Sequence, residues 1–243
     1  MPPDAPAAGE AAPIVSCRGV VKRYRMGAIE APALNGVDLD IAAGDFATLA
    51  GPSGSGKTTL LNMIGGLDHP TAGEVIVDGV RLGGLDKDAL TDLRLRKIGF
   101  VFQAYNLIPV LSAVENVEFV LQLQGVDAAE RRRRAVAALK DVGLEGFENR
   151  RPAYMSGGQQ QRVAVARALV AKPAIVLADE PTANLDSKTA EDLVALMARL
   201  NHEAGVTFLI GTHDARVIAR TRRHIEMTDG RITADERRAA AFA

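Results

Sequence analysis

Residues 51–59 read Gly51-Pro-Ser-Gly-Ser-Gly-Lys-Thr-Thr59, which fits the spacing G-x-x-x-x-G-K-[ST]. The chemistry needs those residue types. Glycines let the backbone curl until successive N–H groups converge on phosphate oxygens. A helix that begins at Lys57 adds the positive end of its dipole. The Lys57 ammonium supplies a mobile point charge for the β- and γ-phosphates of a nucleotide, and the Thr58 hydroxyl suits Mg²⁺. Gly51, Pro52, Ser53, Gly54, Ser55, Gly56, Lys57, Thr58 and Thr59 would form the cradle together. Chance produces such a pattern in on the order of one per cent of chains this long, and a strand before it with a helix after it makes chance a poor account.

A second constellation is Ile175-Val-Leu-Ala-Asp179-Glu180, an apolar run that ends in two acids. A buried strand tolerates a carboxylate only when something satisfies it. Asp179 at the strand's carboxyl end fits a ligand for Mg²⁺ and its water, and Glu180, one step further, is placed to polarise an attacking water. Gln103 and His213 end two further apolar runs, 98–102 and 206–211. Ligands collect at the carboxyl ends of strands in open α/β sheets, so Gln103 could reach the metal and the attacking water, and His213 the γ-phosphate. Taken alone, each reads as a satisfied polar residue in a loop sooner than as a catalytic group. His69, His202 and His224 have no such placement and are expected at the surface. A third constellation, Met155-Ser-Gly-Gly-Gln159, opens a helix. Ser156, Gly157, Gly158 and Gln159 are either a second anion-binding helix start or a plain helix cap. One ATP does not need two cradles from one chain. If this segment binds phosphate, it serves the ATP of a second copy.

Something must hold these groups in place. Short apolar runs at 14–20, 37–41, 45–50, 74–80, 98–102, 174–178 and 206–211 are expected as strands. Helices are expected at 57–64, 88–96, 114–124, 128–142, from about 159 to 171, and at 188–201. Strands alternating with helices predict a mostly parallel sheet covered on its faces. Residues 104–158 read as a helical insertion into it. The run Arg131–Arg134 lies on a helix whose Val136 and Leu139 face inward, so it is read as a solvated face. Residues 1–13 are expected to be a disordered lead-in and 234–243 a tail.

Composition narrows the class. With 47% hydrophobic residues the chain can bury a sizeable core. A net charge of −1 gives no basic field to recruit nucleic acid. The single cysteine, Cys17, excludes a disulfide framework and a multi-cysteine zinc site. No window approaches 18 consecutive apolar residues, so no transmembrane helix is expected.

With these motifs in order, the sequence resembles the ATP-binding cassette family from about Ile14 to Thr233. Gly51–Thr59 matches its Walker A loop, Gln103 its Q-loop, Met155–Gln159 its signature and Asp179-Glu180 its Walker B pair. Asn184-Leu185-Asp186 matches the D-loop, His213 the switch histidine and Tyr24 the aromatic that stacks on adenine. Met155 replaces the usual Leu, and Ala183-Asn184 the more frequent Ser-Ala. The stretches 67–73, 101–117 and 181–186 are similar to the branch serving macrolide export and lipoprotein release.

The resemblance implies a P-loop NTPase fold, with a RecA-like core sheet, an antiparallel N-terminal β subdomain and an inserted helical subdomain. It implies ATP and Mg²⁺ as cofactors and a head-to-tail dimer around two ATP, with Asp186 among the nucleotide-binding residues. The second half would be another copy or a paralogous ATPase subunit. A transmembrane permease subunit would dock on the helical insertion and Gln103–Pro109, where the apolar or aromatic Tyr105, Leu107 and Ile108 either form its contact or pack within the insertion itself. The ATPase would then sit peripherally on the cytoplasmic face of the inner membrane and move an amphipathic or lipid-linked cargo. A related regulatory complex, which signals to cell-wall enzymes without moving cargo, is the alternative.

Overall fold

The structure, a computed structural model, describes residues 12–27 and 29–238. Most of the expected lead-in, and residues 239–243 of the expected tail, lie outside the described residues. The chain first forms a long antiparallel pair, β1 (Val15–Met26) and β2 (Ile29–Ile41). Both run well beyond the short apolar segments expected there. Their outer halves carry exposed Arg23, Arg25 and Glu30, joined by ion pairs across the hairpin, so backbone pairing rather than an apolar face defines them. Next comes β3 (Phe46–Ala50), buried at every position, and α1 (Lys57–Ile64), whose apolar face is Leu60, Leu61, Met63 and Ile64. The chain then returns to the first sheet as β4 (Ala72–Val77) and β5 (Val80–Arg81). Asp86 caps α2 (Lys87–Lys97) through the Ala89 N–H, and β6 (Ile98–Val101) follows.

The helical region consists of α3 (Ala113–Leu123), α4 (Ala128–Asp141) and α5 (Gly157–Leu169). A capping box starts α3: Ser112 accepts from the Glu115 N–H and donates its own N–H to the Glu115 carboxylate at 2.7 Å. The remaining chain alternates: β7 (Ile175–Asp179), α6 (Ser187–Ala204), β8 (Phe208–Thr212), α7 (Ala215–Arg220), β9 (Arg223–Thr228) and β10 (Arg231–Arg237).

Two sheets result, one ordered β2-β1-β4-β5 and one β10-β9-β3-β8-β7-β6. The second is parallel except for β10, which pairs antiparallel with β9. This is the α/β architecture expected, and its β3-β8-β7-β6 order places the ends of four strands side by side. Residues 234–237, placed in the tail on sequence, are the end of β10. They are held there because Asp235 and Arg237 join an ion-pair cluster with Arg223 and the buried Asp45.

Core side chains form two groups. One fills the space between the sheets around α1, with Leu49, Leu60, Ile64, Val75 and Leu177. Cys17 belongs to it, fully buried, and burial pushes its thiol up to about 12. The other joins the outer face of the second sheet to α3, α4, α5 and α6 through Val117, Leu121, Leu139, Val163 and Phe208. Phe208 meets Phe46 edge-on, with ring centroids 5.7 Å apart. Truncating a buried aromatic of this kind costs about 3–5 kcal/mol.

Candidate functional site

After β3 the 51–56 loop is pressed between its neighbours. A Cβ at Gly51 would fall on the Met227 carbonyl, and one at Gly56 would lie 2.7 Å from the Ala33 carbonyl. Gly56 also has φ 105, which a side chain resists. The helix start that follows is uncompensated: Gly56 offers no side-chain cap, and the first turn of α1 holds no acid. Its free N–H groups and dipole therefore present positive potential to the loop interior. Lys57, only 6% exposed, turns its ammonium into that loop and donates to the carbonyls of Gly51 (2.7 Å) and Pro52 (3.0 Å). The Ser55 hydroxyl is buried without a partner.

β7 brings two carboxylates to the same place. Thr58 donates its hydroxyl to Asp179 Oδ2 at 2.9 Å, while Oδ1 is buried without a partner. Burial pushes the Asp179 carboxyl above its ordinary range, against the opposing pull of Thr58. Thr58 and Asp179 are hard oxygen donors within reach of each other, and one carboxylate oxygen is left over. That donor set fits Mg²⁺. Glu180 sits at φ 45, a left-handed conformation that costs a non-glycine residue about 1 kcal/mol. Its N–H donates to the Gly211 carbonyl at 2.8 Å. This turn aims the side chain across to β8, where Thr212 donates to Oε2 at 3.2 Å and His213 Nδ1 lies 2.8 Å from Oε1. The Glu180 side chain is 17% exposed and that of His213 is 70% exposed. One acid thus sits inside the site while its partner faces outward.

Lys57, Thr58, Asp179, Glu180 and His213 come together at the ends of three adjacent strands. Gln103 stands exposed just past β6, one strand further along, and Asn184 Nδ2 donates to its carbonyl at 3.0 Å. The other expected residues lie elsewhere. Ser156 and Gln159 form a capping box on α5, so the cap reading holds locally. The adjacent glycines are packed against their own chain. A Cβ at Gly157 would meet the Tyr105 hydroxyl at 2.6 Å, and one at Gly158 would fall on Thr189 Cγ2. Among the described residues, no hydrogen bond joins Ser156–Gln159 to the 51–59 loop. Asp186 caps α6, accepting from the Thr189 N–H (3.0 Å) and hydroxyl (2.6 Å), and these bonds hold its carboxyl below the usual range. Tyr24 is exposed on β1, with its hydroxyl on Asp68 and Lys22 over its ring.

Some expectations require correction. His224 is buried rather than superficial: Thr48 Oγ1 lies 3.3 Å from Nδ1, and Glu226 Oε1 lies 3.3 Å from Nε2. Leu107 is half-buried against the helical core group, and the half-buried Tyr105 has its hydroxyl beside Gly157, so part of each side chain is occupied within its own chain. Gln161 escapes sequence reasoning altogether. It is fully buried on α5, and its Nε2 donates to the carbonyls of Pro181 (2.8 Å) and Phe102 (3.3 Å). Its Oε1 has no partner, an omission worth about 1–3 kcal/mol. A signal for it exists, since Gly158, Gln161, Val165 and Ala168 follow the spacing of a buried helical stripe that Gln161 interrupts.

The profile of the ABC transporter family matches residues 34–183. The chain is 50% identical over 226 residues to a lipoprotein-releasing system ATP-binding protein, LolD, of Anaeromyxobacter dehalogenans, covering 93% of this chain and 95% of that one. It is 47% identical to a macrolide export ATP-binding/permease protein, MacB, of Syntrophobacter fumaroxidans, over 89% of this chain and 31% of the larger relative. Among solved structures it is similar to the dimeric post-hydrolysis state of the ATP-binding cassette MJ0796 bound to ADP and phosphate. The TM-score is 0.85 and the identity 48%, over 93% of this chain and 99% of that chain.

Proposed function

We propose, for a chain that belongs to the ABC transporter family, that the strand-end site hydrolyses ATP to drive a separate membrane permease. The chain is an ATP-hydrolysing subunit of an ABC system. The finer assignment rests chiefly on one observation: the loop lysine, the Thr58–Asp179 pair and the Glu180–His213 pair converge at adjacent strand ends. In this reading the 51–56 backbone and the α1 N-terminus receive the phosphates. Lys57 leaves the Gly51 and Pro52 carbonyls for the β- and γ-phosphates, a short swing that trades two neutral acceptors for charged ones. Thr58, Asp179 and Gln103 would hold Mg²⁺, which when bound neutralises phosphate charge. Glu180 accepts the proton of the water that attacks the γ-phosphorus as the bond to the ADP oxygen breaks. His213 holds Glu180 in orientation and faces the γ-phosphate, and Tyr24 stacks on adenine.

The second half of the assembly is another copy or a paralogue, whose Ser156, Gly157, Gly158, Gln159 and Asp186 complete the site head to tail. Support comes from the capping geometry of Ser156, which leaves its hydroxyl proton free, and from the dimer described for MJ0796. No described helix is long and apolar enough to cross a membrane, and the membrane work is assigned in this reading to a partner. A groove of about 450 Å³ beside Leu67, Phe100, Phe102, Asn106 and Val120, with Leu67, Phe119 and Leu123 exposed, is the face we assign to it. The names of the relatives favour export or extraction of an amphipathic or lipid-linked cargo, with the subunit peripheral on the cytoplasmic face. Glu180→Gln tests the core of this reading. It should bind ATP with native affinity, turn over about 10²–10⁴-fold more slowly, and accumulate as an ATP-bound dimer by light scattering. Near-native steady-state hydrolysis by that variant would overturn it.

A further inference from the structure

Two side chains on different elements grip the backbone on either side of the site. β6 and β7 pair in parallel only as far as Val101 and Ala178. Beyond that point the two chains diverge, one into the loop of Gln103 and the other into the turn of Glu180. The Gln161 amide spans the gap: its two N–H groups reach Phe102, the residue before Gln103, and Pro181, the residue after Glu180. Asn184 makes the second crossing, from the 180–185 turn to the carbonyl of Gln103 itself. The turn is closed on its own side by Ala183 N–H to Glu180 O (3.2 Å) and Leu185 N–H to Thr182 O (3.1 Å). Further along, Arg167 of α5 donates to the Tyr105 and Asn106 carbonyls at 2.9 and 2.6 Å. Leu or Met at position 161 would remove the unpaired Oε1 but would leave the Pro181 and Phe102 carbonyls without this donor. What only an amide can do there is donate to both carbonyls at once.

We propose that Gln161 and Asn184 are positioning residues for hydrolysis, strapping the Gln103 loop to the Glu180 turn so that both γ-phosphate-facing groups are set as one unit. The inference rests on the roles proposed above for Gln103 and Glu180. It also gives a physical reason for Asn184 where the family more often has Ala, because Ala has no donor for the Gln103 carbonyl.

Three variants of the full chain, Asn184→Ala, Gln161→Leu and Gln103→Ala, test it beside Glu180→Gln. Steady-state hydrolysis, ATP titration and thermal unfolding would be measured for each. Asn184 is exposed, so its variant keeps the fold even if Gln161→Leu does not. Asn184→Ala should lower kcat about 3–10-fold, the worth of one hydrogen bond, with KM within about twofold. The same change made in the Gln103→Ala background should cost clearly less than in the native chain, because one of the two groups that the strap sets is then already gone. Gln161→Leu should lower kcat at least as far, again without weakening ATP binding. Native kcat in Asn184→Ala, or an undiminished effect of that change in the Gln103→Ala background, overturns the proposal. A loss in Gln161→Leu that only tracks a lower Tm, with Asn184→Ala normal, overturns it too. If Glu180→Gln also hydrolyses normally, the reading of the site itself has failed. If Glu180→Gln is inactive while both strap variants are native, only the strap has failed.

Discussion

Gly158→Ala places a methyl group where Thr189 Cγ2 already lies, at the contact between the start of α5 and the start of α6. Thr189 cannot simply rotate away, because its hydroxyl is held by Asp186 at 2.6 Å and its N–H by the same carboxylate. Overpacking of this kind costs about 1–3 kcal/mol, and alanine's better helix propensity returns at most about 1. With the full return the net loss is about 0–2 kcal/mol, or up to roughly 8 °C in Tm for a chain this long. Thr189→Ser isolates the cause, since it deletes Cγ2 and keeps the hydroxyl on Asp186. The nearest atom to the new methyl would then be the residue 189 Cβ at 3.6 Å, an ordinary contact. Gly158→Ala made in the Thr189→Ser background should therefore be neutral or stabilising by up to about 1 kcal/mol. Urea unfolding of the four chains gives the coupling directly. Equal destabilisation by Gly158→Ala in both backgrounds would refute the steric account and leave the glycine needed for some other reason.

Lys57→Ala should weaken ATP binding at least about tenfold, the scale of one charge-assisted contact, and unchanged affinity in a direct titration would count against the loop as the phosphate site. Ser156→Arg should bind ATP yet fail to complete a second copy's site, so mixing it with Lys57→Ala should restore part of the hydrolysis, and no recovery among demonstrated mixed dimers would remove the shared-site arrangement. Leu107→Ser should lower the Tm of the isolated subunit by several degrees, about 2 kcal/mol of lost burial, whereas a native Tm would return this residue to a partner surface. The Arg223 guanidinium holds the Asp235 carboxyl below the usual carboxylate range. The pair therefore stabilises the fold fully above the unfolded carboxyl pKa, and the contribution disappears as pH falls through the depressed folded value. Asp235→Asn should be less stable by up to about 1 kcal/mol at pH 7 after solvent screening and approach the native chain as pH falls below the ordinary carboxylate range, and a gap that stays constant with pH would show that charge is not the cause.

Where burial is symmetrical, local sequence is enough. β3, β7 and β8 are continuous apolar runs, and each lies within about two residues of where its run predicts; α1 coincides with its expected span. β9 and β10 are invisible because their polar residues are satisfied by distant partners. Arg223 finds Asp45, 178 positions away, and His224 finds Thr48, 176 positions away. No window of neighbouring residues contains that information. The chemistry is legible for the same reason the strands are, since the cradle and the paired acids are compact spacings. The contacts that hold them are not: Asn184 reaches Gln103 across 81 positions and Gln161 reaches Phe102 across 59. Ser156 to Gly158 illustrate a subtler limit. Two glycines after a serine serve an anion site and a tight helix crossing equally well, and only the positions of Tyr105 and Thr189 reveal the crossing.

The burial of Cys17 has a practical corollary for following this molecule in motion. It is the only cysteine in the chain. A thiol pushed up to about 12 carries on the order of one thiolate in ten thousand at pH 8, and the thiolate is the species that alkylates. It is also sealed on one side by Leu39 and on the other by Val75, its partners in β2 and β4. Maleimide dyes and cross-linkers will therefore pass it by in the folded protein. One cysteine introduced at exposed Leu123 or Val110 becomes the sole reactive handle, with no background thiol to engineer out of the core. Distance reporters for the closing of two copies around nucleotide can thus be built by single substitutions on the native sequence.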